Sequence, residues 1–286
     1  MKSFACLIVL SSSVYASGDL LRDQEKVQVP VQVSVQEKFC QSTKEYITVF
    51  RYLEVQKTFT LKKEEMMKIA DVVSKGCNGA AKRFIETNDL LMKAGVETSD
   101  ALKLAMKFAD KSDQTTDTFA TIFKETFLKE YLDLDLRTAI DFSMKLSLEA
   151  EGDAVLIKND FQKIVKFCLD NKGLDLSGPK CSDLASKVAA SGTKYKLEMS
   201  PTFFEHYSFL TDKDGADLAT YKALEISVKL IDAGPLSANN FKDAYKFAIS
   251  KTGLDLGKSQ AIGYAEQMAL RSSGEKRGEK LERITK

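Results

Sequence analysis

A repeat of about forty residues constrains this chain more than any other feature of its sequence. The segment Phe167–Leu176 recurs about eighty residues later as Phe247–Leu256, with the same Phe, Gly, Leu, Asp and Leu offsets. Most copies carry a second aromatic residue six positions before the first. Each copy is marked by the residue that precedes its Asp, Thr or Glu. The six markers are Phe59, Val96, Leu134, Leu174, Ala216 and Leu254. This spacing predicts about six diverged repeats of roughly 40 residues over 37–270.

Each repeat has the apolar periodicity of two helices joined by a turn. Residues at steps of three and four precede the turn and follow it, as in Phe161, Ile164, Val165 and Cys168, and then Ala185, Val188 and Ala189. The pattern predicts an all-α fold, an α-solenoid-like array of helical hairpins. A compact bundle of twelve helices is the main alternative. The tetratricopeptide, ankyrin and leucine-rich signatures are absent.

The recurrent turn of the repeat has small and acidic residues at fixed places. Glycines at 173, 215 and 253 suit a left-handed residue that ends the first helix. The acidic residues suit the N-cap of the second helix, where a carboxylate accepts backbone N–H groups. A row of ligands along one edge is the competing interpretation, and capping is favoured. The predicted helix caps are Asp135, Asp175, Asp217 and Asp255.

The first sixteen residues have the features of a secretory signal peptide. Lys2 precedes an apolar run over 4–10, and small residues lie before a cleavage site after Ala16. The run is too short to span a bilayer, which takes roughly 20 apolar residues. The absence of Asn-x-Ser/Thr sequons and the short signal favour a bacterial protein. The expected location is periplasmic or extracellular, with no membrane span.

Residues 17–36 form a segment unlike the rest of the chain. Five valines alternate with polar residues and Pro30, which predicts an extended N-terminal arm rather than a helix. A linker is one interpretation, and a strand that docks on a partner is the other. The possible docking residues are Val27, Val29, Val31, Val33 and Val35. At the other end, 271–286 is a charged tail with a basic excess.

Four cysteines remain after cleavage, and an even number in an exported chain suggests disulfides. Cys40 and Cys77 fall at the open end of the first hairpin, and Cys168 and Cys181 flank the turn of the fourth. The repeat map therefore predicts the pairs Cys40–Cys77 and Cys168–Cys181. Free buried thiols are the alternative.

Composition excludes several classes of function. With 42 basic and 41 acidic residues, the chain lacks the basic excess of a nucleic-acid binder. The single histidine, His206, argues against metal sites and His-based catalysis. The segment 253–259 has three residues between its glycines, where a phosphate-binding loop needs four, so no nucleotide or other cofactor is expected.

The sequence therefore predicts an exported, non-catalytic helical-repeat protein that binds protein or peptide partners or acts as a scaffold. The alternative is a helical hydrolase of the cell envelope that uses two carboxylates. Such acids are numerous, and no spacing singles out a pair. The candidates are Glu64, Glu65, Glu125, Glu130 and Glu205.

Overall fold

The computed structural model describes residues 42–274, except 57, 150, 151, 171–173 and 175. Over these residues the chain forms twelve α-helices and no strand, which confirms the predicted all-α fold. The helices are α1 (Thr43–Val55), α2 (Lys63–Ser74), α3 (Ala80–Lys93), α4 (Thr98–Met106), α5 (Asp113–Phe127), α6 (Leu136–Leu148), α7 (Ala154–Leu169), α8 (Gly178–Tyr195), α9 (Ser200–Thr211), α10 (Thr220–Asp232), α11 (Ser237–Ile249) and α12 (Lys258–Gly274).

Consecutive helices pack in pairs along the chain, α1 with α2 and so on to α11 with α12. The first helix of each pair also contacts the first helix of the next pair, from α1 through to α11. Second helices contact each other less continuously, with α2 on α4, α8 on α10 and α10 on α12. The first helices therefore form the more closely packed layer.

Four phenylalanines lie at the same depth in successive first helices. They are fully buried, and each lies nine residues before the C-cap of its helix: Phe119 in α5, Phe161 in α7, Phe203 in α9 and Phe241 in α11. Burying a side chain of this size stabilises a protein by roughly 1.5–3 kcal/mol. The aromatic residues that recur along the sequence therefore form part of the buried core.

Three of the turns within helix pairs share one backbone hydrogen-bond pattern. A leucine N–H donates to a carbonyl of the preceding helix, at 2.8 Å for Leu134, 2.7 Å for Leu218 and 2.8 Å for Leu256. The residue before each leucine is an aspartate in the left-handed region, with φ of 49° at Asp133, 46° at Asp217 and 48° at Asp255. Aspartate is one of the few residues with a side chain that tolerate this conformation.

This geometry shows that the predicted cap positions Asp217 and Asp255 are wrong. The N-cap of α10 is Ala219, two residues after Asp217, and α12 begins at Lys258, three residues after Asp255. Both aspartates lie inside the turn. The turn depends on their left-handed backbone conformation and not on their carboxylates. Asp175 lies outside the described residues.

Asp135 is the N-cap of α6, and its carboxylate accepts the N–H of Thr138 at 3.0 Å. The difference from the other aspartates has a simple origin in the sequence. Residues 132–136 contain two overlapping Leu-Asp-Leu triplets, and the structure uses the first of them in the turn. The third repeat marker is therefore Leu132 instead of Leu134.

The glycines of these turns also have a different role from the predicted one. Gly215 and Gly253 are not among the residues with positive φ. They allow the chain to pass close to the preceding helix, because a Cβ at Gly215 would lie 2.1 Å from the carbonyl oxygen of Phe209. At Gly253 the corresponding distance to Phe247 is 1.9 Å.

We expect Gly253→Ala to lower the free energy of unfolding by about 2 kcal/mol, since the added methyl forces a backbone shift in a packed turn. The matched control is Gly263→Ala in α12, where an added Cβ would meet nothing within 4 Å. That change should raise the free energy of unfolding by roughly 0.5–1 kcal/mol through helix propensity. Urea unfolding followed by circular dichroism measures both, and equal effects would contradict the close-approach explanation.

A disulfide joins Cys168 near the end of α7 to Cys181 in the first turn of α8. Their Cα atoms are 6.0 Å apart, within the range that a disulfide spans. Both side chains are buried in the core. The bridge therefore fixes the end of α7 to the next helix across the α7–α8 turn. The other predicted pair, Cys40–Cys77, includes a residue outside the described part of the chain and stays a prediction.

The predicted signal peptide 1–16 and extended arm 17–36, with its five valines, also lie outside the described residues, as does most of the predicted tail 271–286. Among the helices described, none combines the length and the apolar character that a membrane crossing requires.

Candidate functional site

Two neighbouring cavities open where the C-terminal half of α5 lies against α7. Their volumes are about 590 and 340 Å³, and both are lined by Glu125, Tyr131 and Gln162. Val165 and Leu169 of α7 line the larger cavity. We call the two together the α5–α7 groove.

The groove lies at a contact between first helices that aromatic rings fill elsewhere. Three residues before the C-cap, α7 has Phe167 and α9 has Phe209, whereas α5 has Glu125. The ring of Phe167 packs 5.4 Å from Tyr207 on the next first helix, and Phe209 packs 5.6 Å from Tyr245.

The partner ring is replaced as well. Tyr207 in α9 and Tyr245 in α11 lie five residues before their C-caps, and the residue at that position in α7 is Val165. Both members of the aromatic pair are therefore missing between α5 and α7. A carboxylate and a smaller aliphatic side chain take their place, and the space becomes the groove.

Glu125 is half-buried at the base of this groove. Its Oε1 accepts a hydrogen bond from Gln162 Nε2 at 2.7 Å, while Oε2 is buried and accepts none from the described residues. Burial raises the pKa of the Glu125 carboxyl, and the Gln162 hydrogen bond lowers the pKa in part. A buried acceptor without a donor lowers the free energy of unfolding by about 1–3 kcal/mol.

The rim of the groove combines apolar surface with charges that balance. Tyr131 is 40% exposed and Leu169 is 41% exposed, so a ring and an aliphatic side chain face solvent there. Lys163 is paired with Glu198, which lies one hairpin further along the chain. The larger cavity is lined by two acidic and two basic residues, namely Glu125, Asp170, Lys163 and Lys166.

The disulfide fixes the α7 wall of the groove. Cys168 is adjacent to Leu169, and its bond to Cys181 fixes the last turn of α7 against α8. The groove is therefore formed on a constrained helix end. Of the residues predicted from sequence, Glu125 and Glu130 line the groove, while Asp135, Asp217 and Asp255 do not.

Two other buried polar side chains join successive hairpins instead of lining this groove. Asp160 in α7 accepts the N–H groups of Met199 and Ser200, at 2.9 and 2.8 Å, where α9 begins. His206 in α9 lies 3.0 Å from the hydroxyl of Ser237, the first residue of α11. Their positions explain why these groups are buried, and burial raises the pKa of Asp160 while lowering that of His206 to about 4.

The remaining carboxylate candidates have structural partners or lie in solvent. Glu65 accepts the N–H of Lys62 at the start of α2, and Glu205 pairs with Lys242 at 2.6 Å. Glu64 is exposed. Among the described residues burial raises the pKa of the Glu125 and Asp160 carboxyls, and Asp160 does not line the α5–α7 groove.

Sequence reasoning included Glu125 only among many carboxylates and missed its place in the repeat. The signal is present: with the third marker at Leu132, Phe119 and Glu125 have the six-residue spacing of the aromatic pairs in the other repeats. A glutamate at the position that Phe167, Phe209 and Phe247 hold in the last three repeats is then visible without a structure.

We expect Glu125→Phe to raise the free energy of unfolding by about 1 kcal/mol. The substitution removes a half-buried acceptor without a donor and adds apolar contact with Val165, and these gains exceed the loss of the hydrogen bond from Gln162. Glu54→Phe, at an exposed position of α1, serves as the control and should change stability by less than about 0.5 kcal/mol. Thermal unfolding of the three proteins measures the difference. A destabilised Glu125→Phe would show that the groove does not accept a ring.

Within the described part of the chain, no group of three or more His, Cys, Asp or Glu side chains is placed to hold a metal ion. Comparison with family models, with curated proteins and with solved structures finds no match for this chain.

Proposed function

We propose that this chain is an exported, non-catalytic α-solenoid of about six helical hairpins that binds a protein or peptide partner. The observation that carries the proposal is the α5–α7 groove, a cavity at a contact between first helices whose equivalent in the next two contacts is filled by a ring pair. Solenoids offer extended surfaces that bind polypeptides. The step from architecture to binding is an analogy at the level of the fold.

Contacts between residues one repeat apart support the solenoid over a compact bundle. Side chains 37 to 41 residues apart meet between successive hairpins, as in Gln162 with Glu125, Lys158 with Asp117 and Ser191 with Asp232. The helix pairs that pack extensively belong to the same hairpin or to successive ones. A bundle would also bring together helices distant in sequence.

Two features support export. Residues 1–16 have the charge, apolar run and small residues of a signal peptide. The disulfide between Cys168 and Cys181 is of the kind that persists in oxidising compartments. Both agree with a periplasmic or extracellular location.

The carboxylate hydrolase is the alternative, because acid–base hydrolysis needs two carboxyl groups that face one substrate, and Glu125 shares the groove lining with Glu130 and Asp170. Binding is favoured by the apolar surface that Tyr131 and Leu169 expose at the groove. The third interpretation, a docking strand formed by residues 17–36, is compatible with binding in the groove.

The test is capture with the mature chain, residues 17–286, immobilised and incubated with the exported fraction of its source cells. We expect a partner protein retained in near-stoichiometric amount, and retained equally by Asp183→Asn, a change on the exposed face of α8. A version without residues 17–35 separates the arm from the helical domain. No retained partner, together with turnover of glycans or peptides by the purified chain, would contradict the proposal.

A further inference from the structure

We propose that residues 275–286 form a short capping helix that packs on the exposed face of α11, in the place that the next first helix takes at every earlier hairpin. These residues lie outside the described part of the chain. The surface of α11 and the register of the repeat support the assignment, which goes beyond the proposed function and holds whether or not the chain binds a partner.

The last described turn exposes an apolar residue that the earlier turns bury. The marker residues of the three preceding turns are buried, namely Leu132, Leu174 and Ala216. Leu254, the marker of the turn between α11 and α12, is 42% exposed. Each buried marker belongs to a hairpin that is followed by another one, while no described hairpin follows α12. The apolar surface at Leu254 is therefore of the kind that a following helix covers.

Phe247 shows the same difference in α11. It lies three residues before the C-cap of its helix, at the position of Phe167 in α7 and Phe209 in α9. Those two rings are partly buried and pack 5.4 and 5.6 Å from a tyrosine of the next first helix. Phe247 is 50% exposed. The α11 helix thus presents the surface with which α7 and α9 each receive a first helix.

The register of the repeat identifies the segment that fits this surface. The buried phenylalanines of α5, α7, α9 and α11 follow one another at steps of 42, 42 and 38 residues. The same steps counted from the last of them reach residues 279–283, where Leu281 is the single apolar residue. Ile284 follows Leu281 by three residues, as the buried Ile164 follows the phenylalanine of α7. Both apolar residues of the segment therefore occupy positions that are buried in α7.

The length and the charge pattern of the segment agree with this register. Leu281 lies seven residues after the end of α12, and the phenylalanines of α9 and α11 lie eight and nine residues after the ends of α8 and α10. Two pairs at a spacing of four have the acid first, the order that stabilises a helix: Glu279 with Arg283 and Glu282 with Lys286. These charges give the cap a polar outer face, which terminal units of helical arrays need in order to stay soluble.

The chain contains no tryptophan, which makes the test direct. Thr285→Trp places one indole four residues after Leu281, at the offset of the tyrosines that pack on the preceding first helix. The proposed packing brings this indole against Phe247. We expect acrylamide to quench its emission at least three-fold less than that of Glu54→Trp, whose indole lies at an exposed position of α1, because burial excludes the quencher.

Two further changes, each made together with Thr285→Trp, test the contact from both sides. Leu281→Asp puts a charge at the buried position and should raise the quenching to within two-fold of Glu54→Trp. Phe247→Ala removes the ring of α11 and should at least double the quenching. Arg283→Asp is the matched control, since it adds the same carboxylate where α9 and α11 have exposed acids, and the quenching should not change. Circular dichroism verifies that each variant is folded.

Equal quenching of Thr285→Trp and Glu54→Trp overturns the inference, and so does equal quenching after Leu281→Asp and Arg283→Asp. Protection of the indole that disappears when the protein is diluted assigns the segment to a second copy, and this result also overturns the inference. Partner capture is an independent measurement. A chain that ends at residue 274 and still captures the partner leaves the proposed function standing, whatever the quenching shows.

Discussion

Replacing Arg83 by alanine is expected to lower the free energy of unfolding by about 3–5 kcal/mol, because the change leaves several buried carbonyl groups without a donor. The Arg83 side chain in α3 is only 8% exposed. Its Nη2 donates to the carbonyl of Ala109 at 2.9 Å and to that of Gly76 at 3.3 Å, and its Nη1 donates to Asn78 at 3.1 Å. One guanidinium thus joins the loop before α3 to the loop before α5.

The ion pair of Arg83 is a smaller contribution than its carbonyl contacts. Nη1 lies 2.9 Å from Asp113 Oδ1, but the Asp113 side chain is 67% exposed, and exposed carboxylates gain little from pairing. Asp113→Ala should therefore lower the free energy of unfolding by less than about 1 kcal/mol. Urea unfolding of both variants distinguishes the two contributions. Similar losses for Arg83→Ala and Asp113→Ala would show that the ion pair, and not the carbonyl contacts, holds the two loops.

The free energy of unfolding should also fall by about 3 kcal/mol as the pH decreases from 6.5 to 4, because of the titration of His206 alone. Its side chain is 1% exposed, and burial lowers its pKa from 6.5 to about 4, with Lys242 adding to the decrease and Glu205 opposing it. Between these pH values the unfolded chain binds a proton that the folded chain excludes. The stabilisation is therefore complete above pH 6.5 and is lost as the pH falls toward 4.

The measurement is urea unfolding at several pH values for the wild type and for His206→Gln, which keeps a polar group near Ser237 but does not titrate. Carboxylates common to both proteins cancel in the difference between them. We expect that difference to be constant above about pH 7 and to change by about 3 kcal/mol between pH 6.5 and 4. A difference independent of pH would show that His206 is protonated as readily in the folded protein as in the unfolded one.

The hairpin architecture could be predicted because it depends on local regularities. Apolar residues at steps of three and four define helices, and the recurrent turn separates them, so helix type and number follow from patterns within some twenty residues. The buried phenylalanines Phe161, Phe203 and Phe241 were identifiable for the same reason. Cys168 and Cys181 could be paired because they flank one short turn.

The errors arose where one local pattern permitted two alignments. In the segment Leu132–Leu136 either Leu-Asp-Leu triplet satisfies the repeat, and only the hydrogen bonds of the folded turn select the first. The roles predicted for the turn glycine and the turn aspartate were wrong for a similar reason. Asp217 takes the left-handed conformation and Gly215 allows a close approach, and both properties depend on how the chain meets the preceding helix.

The groove itself was decided by tertiary structure. The sequence by itself determined that the described chain is helical, which faces of its helices are buried, and that Glu125 is one carboxylate among many. Which side chain meets Glu125 depends on contact between α5 and α7, whose residues lie about forty positions apart. Only that contact shows a missing ring pair and an acceptor left without a donor, because burial is a property of neighbouring helices and not of either helix alone.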